Sequence, residues 1–240
     1  KELRDFLLSS QRAFRRLLLG LHQDSGNIID VFAQWREWRA KNGIDFTDGN
    51  RTSYYGQGGF PADFLKFVRL HYIPAATKAP LAMTALVEYE AALLSGDQRP
   101  HEPAGASRDQ APSGDRIIAN DDEAITPDSR PQLFPGVNVI GLPADYQEIV
   151  RRLKQRSPLY DLPSQPVKIA VRKAPSGPAE ARQLSPLSAE LLDLCEDGLT
   201  VAEIAAEFML RQIEISGVPA EKLCMAGIQI LRQQRLIALA

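Results

Sequence analysis

Residues 167–208 read "VKIAVRKAPSGPAEARQLSPLSAELLDLCEDGLTVAEIAAEF", and within this stretch a strand pattern gives way to a helix pattern. Val167, Ile169 and Val171 alternate with other residues, and this period of two predicts a half-buried β-strand. The "SGP" that follows predicts a turn, and "AEARQLSP" at 179–186 predicts a second, weaker strand. The stretch therefore opens with two strands joined by a turn.

Three helices are predicted after these strands. Ser185 is a good N-cap with Pro186 behind it, and it opens the first helix. Thr200 and Glu203 have the spacing of a capping box, which marks the start of the second helix. The third helix is predicted to open at Pro219.

Another strand and another helix are predicted upstream. "GVNVIGL" at 136–142 is a short β-branched run, and "ADYQEIVRRLKQ" at 144–155 places Tyr146 and Ile149 on one side of a helix. The order over 133–240 is strand, helix, strand, strand and three helices. We therefore predict the α+β class, with a C-terminal winged-helix-like domain that has a three-stranded antiparallel sheet followed by three helices.

The N-terminal part, residues 1–95, is predicted to be an all-helical domain of four helices, the first running from Leu3 to Leu21. "DFTDGNRTSYYGQGG" at 45–59 predicts a loop between the second and third helices. Residues 96–132 begin with a segment of almost no apolar content, and we predict a flexible linker there because it buries too little surface to order. The remaining domain is 133–240.

The composition is that of a soluble globular protein: 240 residues, 44% hydrophobic, 24% charged, with a net charge of -2. No apolar run approaches the roughly 20 residues that span a bilayer, so no membrane association is predicted. Cys195 and Cys224 lie far apart and outside any CxxC pattern. We interpret them as buried free thiols and expect a cytoplasmic protein.

The residue types of an active site are sparse. His22, His71 and His101 have no second ligand at metal-binding spacing, and HExxH and GxSxG patterns are absent from the sequence. The "GQGG" at 56–59 follows no predicted strand and precedes no Lys-Ser/Thr, so a turn explains it better than a phosphate loop. We expect no catalytic residue, no metal site and no cofactor in this chain.

A helix-turn-helix regulator with a helical sensor domain is an alternative, because "DGLTVAEIAAEF" is also typical of DNA-binding proteins. A recognition helix needs Arg, Lys, Asn or Gln near its N-terminus to reach base edges. The corresponding segment "PAEKLCMAGIQIL" at 219–231 offers one Lys beside a Glu. With no basic stripe and a net charge of -2, the sequence favours a partner other than nucleic acid.

Residues 134–240 resemble the RiPP recognition element, the PqqD-like domain that binds leader peptides in ribosomal natural-product biosynthesis. The resemblance rests on "VKIAVRKAPSGPAEARQLSP", "SAELLDLCEDGLTVAEIAAEF" and "AGIQILRQQRLI". The helix between the first two strands and the N-terminal helical extension depart from the minimal family. That longer architecture resembles the partner proteins of DUF692-type multinuclear iron oxygenases, and among them the partner of the 3-thiaglutamate pathway most.

The resemblance implies a non-catalytic subunit that forms a heterodimer with the oxygenase, which would hold the iron and modify a C-terminal cysteine of a carrier peptide. It also implies that the leader adds a strand to the third strand and lies against the last helix. The matching positions are Arg182, Gln183, Leu184, Leu223, Ile228, Leu231, Arg232 and Arg235. At least two of the three apolar helix positions are expected to belong to the core.

A second surface is suggested by the residues themselves. The loop at 45–59 and its neighbour contain Arg51, Tyr54, Tyr55 and Phe60, and Tyr and Arg are enriched at interface hot spots. We therefore consider these four residues as candidates for docking the oxygenase. The alternative is that the tyrosines close the core of the helical domain.

Overall fold

The computed structural model of the chain describes residues 1–44, 48–57, 59–97, 124–172, 179–211 and 218–239. Two compact units form, one from Lys1–Ser95 with Ile140–Ile169 and the other from Gly96–Val139 with Ala170–Ala240. Residues 140–169, which the sequence places in the C-terminal domain, thus belong with the N-terminal helices. Most of the predicted linker, 98–123, lies outside the described residues.

The first unit is helical. Its elements are α1 (Glu2–Ala13), α2 (Arg15–Ser25), α3 (Ile28–Lys41), α4 (Asp48–Gln57), α5 (Gly59–Phe67), a π-helical turn (Val68–Tyr72), α6 (Ile73–Ala76), α7 (Pro80–Asp97) and α8 (Tyr146–Gln155). Helix α8 joins this unit because its apolar side packs on α2 and Tyr146 stacks on Tyr89 of α7, with ring centroids 3.9 Å apart.

Two predictions for these helices are wrong. The single helix from Leu3 to Leu21 is broken at Phe14, whose φ of -138° and ψ of 48° separate α1 from α2. The loop predicted at 45–59 contains α4, which is held by contacts to α1. The Arg51 Nε lies 3.0 Å from the Asp5 carboxylate, and Ser9 donates a hydrogen bond to the Tyr55 carbonyl at 2.8 Å.

The core of the first unit is aromatic. Its largest members are fully buried and meet mainly edge to face, an arrangement that aromatic rings favour beyond the area they bury. They are Phe6, Phe14, Trp35, Phe60, Phe64 and Phe67. Phe64 lies at the centre, because its ring packs against all five of the others.

Asp24 joins three helical elements of this unit. Its buried carboxylate accepts hydrogen bonds from the Tyr72 hydroxyl at 2.8 Å and from the backbone N–H groups of Lys78 at 2.9 Å and Ala79 at 3.0 Å. Tyr72 lies in the π-helical turn and Ala79 immediately precedes α7. The side chain therefore satisfies N–H groups at the start of α7 that have no partner within the helix.

The C-terminal part confirms the predicted α+β class, and the predicted elements occur in the predicted order, but the structure adds a short strand at each end, Pro131–Leu133 and Ile237–Leu239. The elements are β1 (Pro131–Leu133), β2 (Val137–Leu142), β3 (Val167–Arg172), β4 (Glu180–Gln183), α9 (Pro186–Glu196), α10 (Val201–Leu210), α11 (Ala220–Gln233) and β5 (Ile237–Leu239). Strands β2, β3 and β4 form an antiparallel sheet in that order, and strands β1 and β5 form a second, two-stranded sheet.

The predicted caps of the second unit are confirmed. The Ser185 hydroxyl accepts the N–H of Ser188 at 3.1 Å. The Thr200 N–H donates to the Glu203 carboxylate at 2.7 Å, and the Glu203 N–H donates to the Thr200 hydroxyl at 3.2 Å. These bonds fix where α9 and α10 begin and thereby position the helices that bury the core of this unit.

Helices α9 and α11 approach closely at Gly227. A Cβ atom at this position would lie 2.3 Å from Cδ1 of Leu191, a fully buried side chain. We expect Gly227→Ala to lower the free energy of unfolding by about 1–2 kcal/mol, since overpacking outweighs the gain in helix propensity. Urea unfolding followed by far-UV circular dichroism measures this loss.

Gly56→Ala is the matched control, because a Cβ at Gly56 in α4 meets nothing within 4 Å. It should be neutral or stabilise by up to about 1 kcal/mol. Equal effects of the two variants would contradict a close contact between α9 and α11.

Candidate functional site

The feature that could bind an extended peptide is the outer edge of β4. In the sheet order β2-β3-β4, this strand is last, and within the described ranges its only strand neighbour is β3. Alternate N–H and C=O groups of an end strand point away from its neighbour and are open to pairing. The sheet therefore offers a short template of the kind that the sequence predicts.

The side chains of β4 give its two faces different character. Glu180 and Arg182 are exposed, whereas Ala181 and Gln183 are half-buried. The Oε1 atom of Gln183 is shielded from solvent and accepts no hydrogen bond from the described residues. An acceptor left in this state costs about 1–3 kcal/mol, so the strand carries an unmet hydrogen bond close to its open edge.

Arg172 connects β4 to the end of α11. Its guanidinium lies 2.6 Å from the carboxylate of Glu180, and its Nη1 also donates to the carbonyl of Gln234 at 3.4 Å. The Glu180 carboxylate is exposed, so the ion pair contributes at most about 1 kcal/mol. The contacts of Arg172 matter for the geometry of the site, because they place β4 and the C-terminal end of α11 beside the same side chain.

Most of the apolar positions predicted to contact the leader are part of the core. Leu184, Ile228 and Leu231 belong to one buried cluster with the side chains of α9 and α10, and the last two are 0% exposed. Leu223 is half-buried and remains within reach of a ligand. The expectation that at least two of the three helix positions are core residues is thus confirmed.

Arg232 in α11 and Arg235 just after it differ in exposure. Arg232 is 6% exposed and is packed within the unit, which corrects its assignment as a contact for leader acids. Arg235 is exposed and follows the end of α11 with a φ of 54°. Together with Arg182 on β4, Arg235 supplies the exposed positive charge among the predicted leader-binding positions.

Three of the four residues considered for docking the oxygenase are buried in the helical unit. Phe60 is fully buried in the aromatic core, Tyr55 is 6% exposed and Arg51 is 8% exposed. These three stabilise the unit and cannot present a surface, which corrects their assignment. Tyr54 is half-buried, and its hydroxyl donates to the carboxylate of Asp63 at 2.9 Å.

An exposed apolar pair at the end of α10 was not identified from the sequence. Met209 is 66% exposed and Leu210 is 76% exposed. Met209 also lines a cavity of about 240 Å³ with Met225 and neighbouring alanines. A surface of this composition suits contact with apolar side chains and offers little to phosphate groups.

The chemistry of the remaining side chains is limited. Cys195 and Cys224 are buried free thiols, as predicted, and burial raises the pKa of Cys195 to about 12 and that of Cys224 to about 11. Within the described residues, no group of three His, Cys, Asp or Glu side chains comes together to hold a metal ion. Among those same residues, no helix has both the length and the apolar content to cross a membrane.

Comparison of the chain with protein-family models found no match, and comparison with curated proteins found none either.

Proposed function

We propose that this chain is a non-catalytic subunit that binds the leader of a ribosomally made precursor peptide by strand addition and delivers it to an iron-dependent oxygenase. The observation that carries the proposal is the position of β4 at the end of the three-stranded sheet. An extended peptide paired with this strand gains backbone hydrogen bonds whatever its sequence, and side chains on alternate positions supply specificity.

The length of β4 limits what the backbone alone can contribute. A four-residue strand directs about two residues toward its open edge, which corresponds to about four hydrogen bonds. At about 0.5–1.5 kcal/mol each, these give roughly 2–6 kcal/mol, less than the 8.2 kcal/mol of a micromolar complex. Side-chain contacts must therefore add to the affinity, and Leu223, Arg182 and Arg235 are available for them.

The charge of these contacts indicates the type of leader. Arg182 and Arg235 are both exposed, so a leader with an acidic residue near an apolar one complements the site. Exposed pairs of this kind are screened by salt. We expect the affinity to fall between low and high ionic strength, but far less than for a protein that neutralises many phosphates.

The oxygenase partner enters through the resemblance of the whole architecture to partner proteins of DUF692-type oxygenases. The iron and the modification of a C-terminal cysteine are then the work of that partner. The two free thiols fit a reducing compartment, and we place the chain in the cytoplasm.

A binding titration tests the proposal. A fluorescein-labelled short peptide encoded beside the gene of this chain is titrated with the chain, alone and with the neighbouring oxygenase, and polarisation is recorded. Saturable binding supports the proposal, and its absence in both mixtures contradicts it. Duplex DNA is the comparison ligand, and tight, steeply salt-dependent binding to DNA would favour a transcriptional regulator instead.

Proline substitutions at neighbouring positions test the edge itself. Along an antiparallel strand, successive N–H groups point to opposite sides, so one of Arg182 and Gln183 bonds to β3 while the other faces the open edge. Proline removes the N–H. We expect one of Arg182→Pro and Gln183→Pro to lose stability, and the other to stay folded but bind the peptide about tenfold more weakly or worse.

Circular dichroism and polarisation on both variants separate these outcomes. Gln183→Ala retains the N–H and serves as the side-chain control. Unchanged peptide affinity in both proline variants would show that the leader binds elsewhere on the chain.

A further inference from the structure

A cavity of about 460 Å³ lies within the first unit, where α1, α2, α7 and α8 meet. This volume falls in the range of small-molecule sites, about 300–1,000 Å³. The cavity is open to solvent, and four exposed basic side chains line it, namely Arg12, Arg15, Arg16 and Lys154. The cavity is thus strongly positive in a chain whose net charge is -2.

Three of these cations have no acidic partner among the described residues. They are Arg12, Arg15 and Lys154, none of which forms an ion pair there. Arg16 is held in place by the stacked tyrosines of α7 and α8, because its Nη1 donates to the Tyr146 hydroxyl at 2.9 Å and to the Tyr89 hydroxyl at 3.4 Å. The cavity therefore has cations that form no ion pair with the described residues, and the Arg16 guanidinium is preorganised.

A buried carboxylate faces the same cavity. Glu90 of α7 is 6% exposed and lines the cavity, yet none of the described residues donates a hydrogen bond to it or forms an ion pair with it. Burial raises the pKa of this carboxyl to about 7, an effect that Arg16 partly opposes. A buried ionisable group without a partner is costly, so its position in a cavity indicates a ligand that supplies one.

The rest of the lining is apolar. Leu19 from α2 and Val150 and Leu153 from α8 complete the wall. The ligand must therefore bring a donor for Glu90, negative charge for the cations and an apolar portion for these side chains. A bare polyanion such as phosphate meets the second requirement, but its charge is repelled by Glu90.

We propose that this cavity binds an α-amino acid with an apolar side chain, its ammonium group at Glu90 and its carboxylate at Arg12, Arg15 and Lys154. The ammonium and carboxylate groups are attached to the same carbon atom, which suits a cavity whose lining holds one carboxylate together with several cations. The aliphatic side chain of the ligand then packs on Leu19, Val150 and Leu153. This site is independent of the peptide edge at β4.

Leucine and two analogues test the proposal on the full chain. 4-Methylpentanoate keeps the side chain and carboxylate of leucine without the ammonium, and 3-methylbutylamine keeps the ammonium without the carboxylate. Ligand-observed NMR and calorimetry are expected to show leucine binding, with each analogue about 10- to 100-fold weaker because one charged hydrogen-bonding group is lost. Equal affinity of 4-methylpentanoate and leucine, or no leucine binding at millimolar concentration, would overturn the proposal.

Variants locate the site. Glu90→Gln and Arg12→Gln should each weaken leucine binding about tenfold or more. Arg4→Gln removes the same charge from an exposed position of α1 that does not line the cavity, and it should bind leucine like the natural sequence. An equal loss in Arg4→Gln and Arg12→Gln would reduce the effect to overall charge and reject the site, while circular dichroism confirms that each variant is folded.

Discussion

Phe64→Ala is expected to lower the free energy of unfolding of the first unit by about 3–5 kcal/mol, the cost of removing a large side chain from a packed core. Phe64 is fully buried, and its ring centroid lies 5.4 Å from that of Phe6, 5.7 Å from Trp35 and 5.2 Å from Phe60. Truncation leaves a cavity among side chains that cannot all move into it. Since whole domains are stable by about 5–15 kcal/mol, this loss removes a large fraction of the stability of the unit.

Tryptophan fluorescence measures this effect selectively. The chain contains two tryptophans, Trp35 and Trp38, and both belong to the first unit. Urea unfolding followed by their emission therefore reports this unit. Leu70→Ala is the control, because Leu70 is 60% exposed and should change stability by no more than about 0.5 kcal/mol. A loss of less than about 1 kcal/mol for Phe64→Ala would contradict an aromatic core centred on this residue.

The sequence was informative wherever local signals carry the structure. Alternation in β3 and the capping residues Ser185 and Thr200 mark elements through interactions within a few residues, and the structure has these elements. The three-stranded sheet followed by three helices could be predicted for this reason. Periodicity also indicated that at least two of Leu223, Ile228 and Leu231 belong to the core, and the structure places Ile228 and Leu231 there.

Elements that depend on distant contacts could not be predicted. Helix α4 has a sequence rich in Gly, Asn, Ser and Thr, residues that favour turns, and contacts from α1 to Arg51 and Tyr55 keep it helical. The pairing of β1 with β5 joins Pro131 to Leu239 across more than a hundred residues. Each of these strands has three residues, too short for a period of two to be recognised.

The residues of the candidate sites divide in the same way, into those marked by local sequence patterns and those that depend on distant contacts. The β4 edge could be anticipated because a strand after a turn has a local signature. Burial of Arg51 and Tyr55 could not be predicted, because these residues contact Asp5 and Ser9 of α1, which are distant in sequence. The sequence does contain a signal for the burial of Glu90. This residue follows Leu86 by four positions and Val87 by three, so its carboxylate lies on the apolar face of α7.

Glu90→Gln is expected to raise the free energy of unfolding at pH 8 by roughly 3 kcal/mol. Burial raises the pKa of Glu90 from its ordinary value of 4.5 to about 7 in the folded chain. Between these values the unfolded chain loses the proton while the folded chain keeps it, so stability falls as pH rises, by about 1.36 kcal/mol per pH unit. Above pH 7 the folded chain carries the full penalty of a buried charge, which glutamine removes.

The pH dependence of the stability difference distinguishes the removal of a buried charge from a general improvement in packing. The difference between Glu90→Gln and the natural sequence should shrink to under about 1 kcal/mol at pH 5, which is only half a unit above the ordinary pKa of 4.5 that applies to the unfolded chain. Chemical unfolding followed by tryptophan emission at pH 5, 6.5 and 8 measures it. Glu88→Gln is the matched control, since Glu88 forms a surface ion pair with Arg69 and its removal should cost at most about 1 kcal/mol.

A difference that is constant with pH, or a loss of stability at pH 8, would show that Glu90 is not held as a costly buried charge. The expected gain in stability bears on function, because Glu90→Gln should also abolish the contact between the Glu90 carboxylate and the ammonium group of a ligand. A residue that destabilises the folded chain and strengthens ligand binding is typical of a binding site, where stability and function trade against each other. Stabilisation at pH 8 together with weaker leucine binding in one variant would therefore assign Glu90 to ligand recognition, since a merely structural carboxylate would not produce both effects.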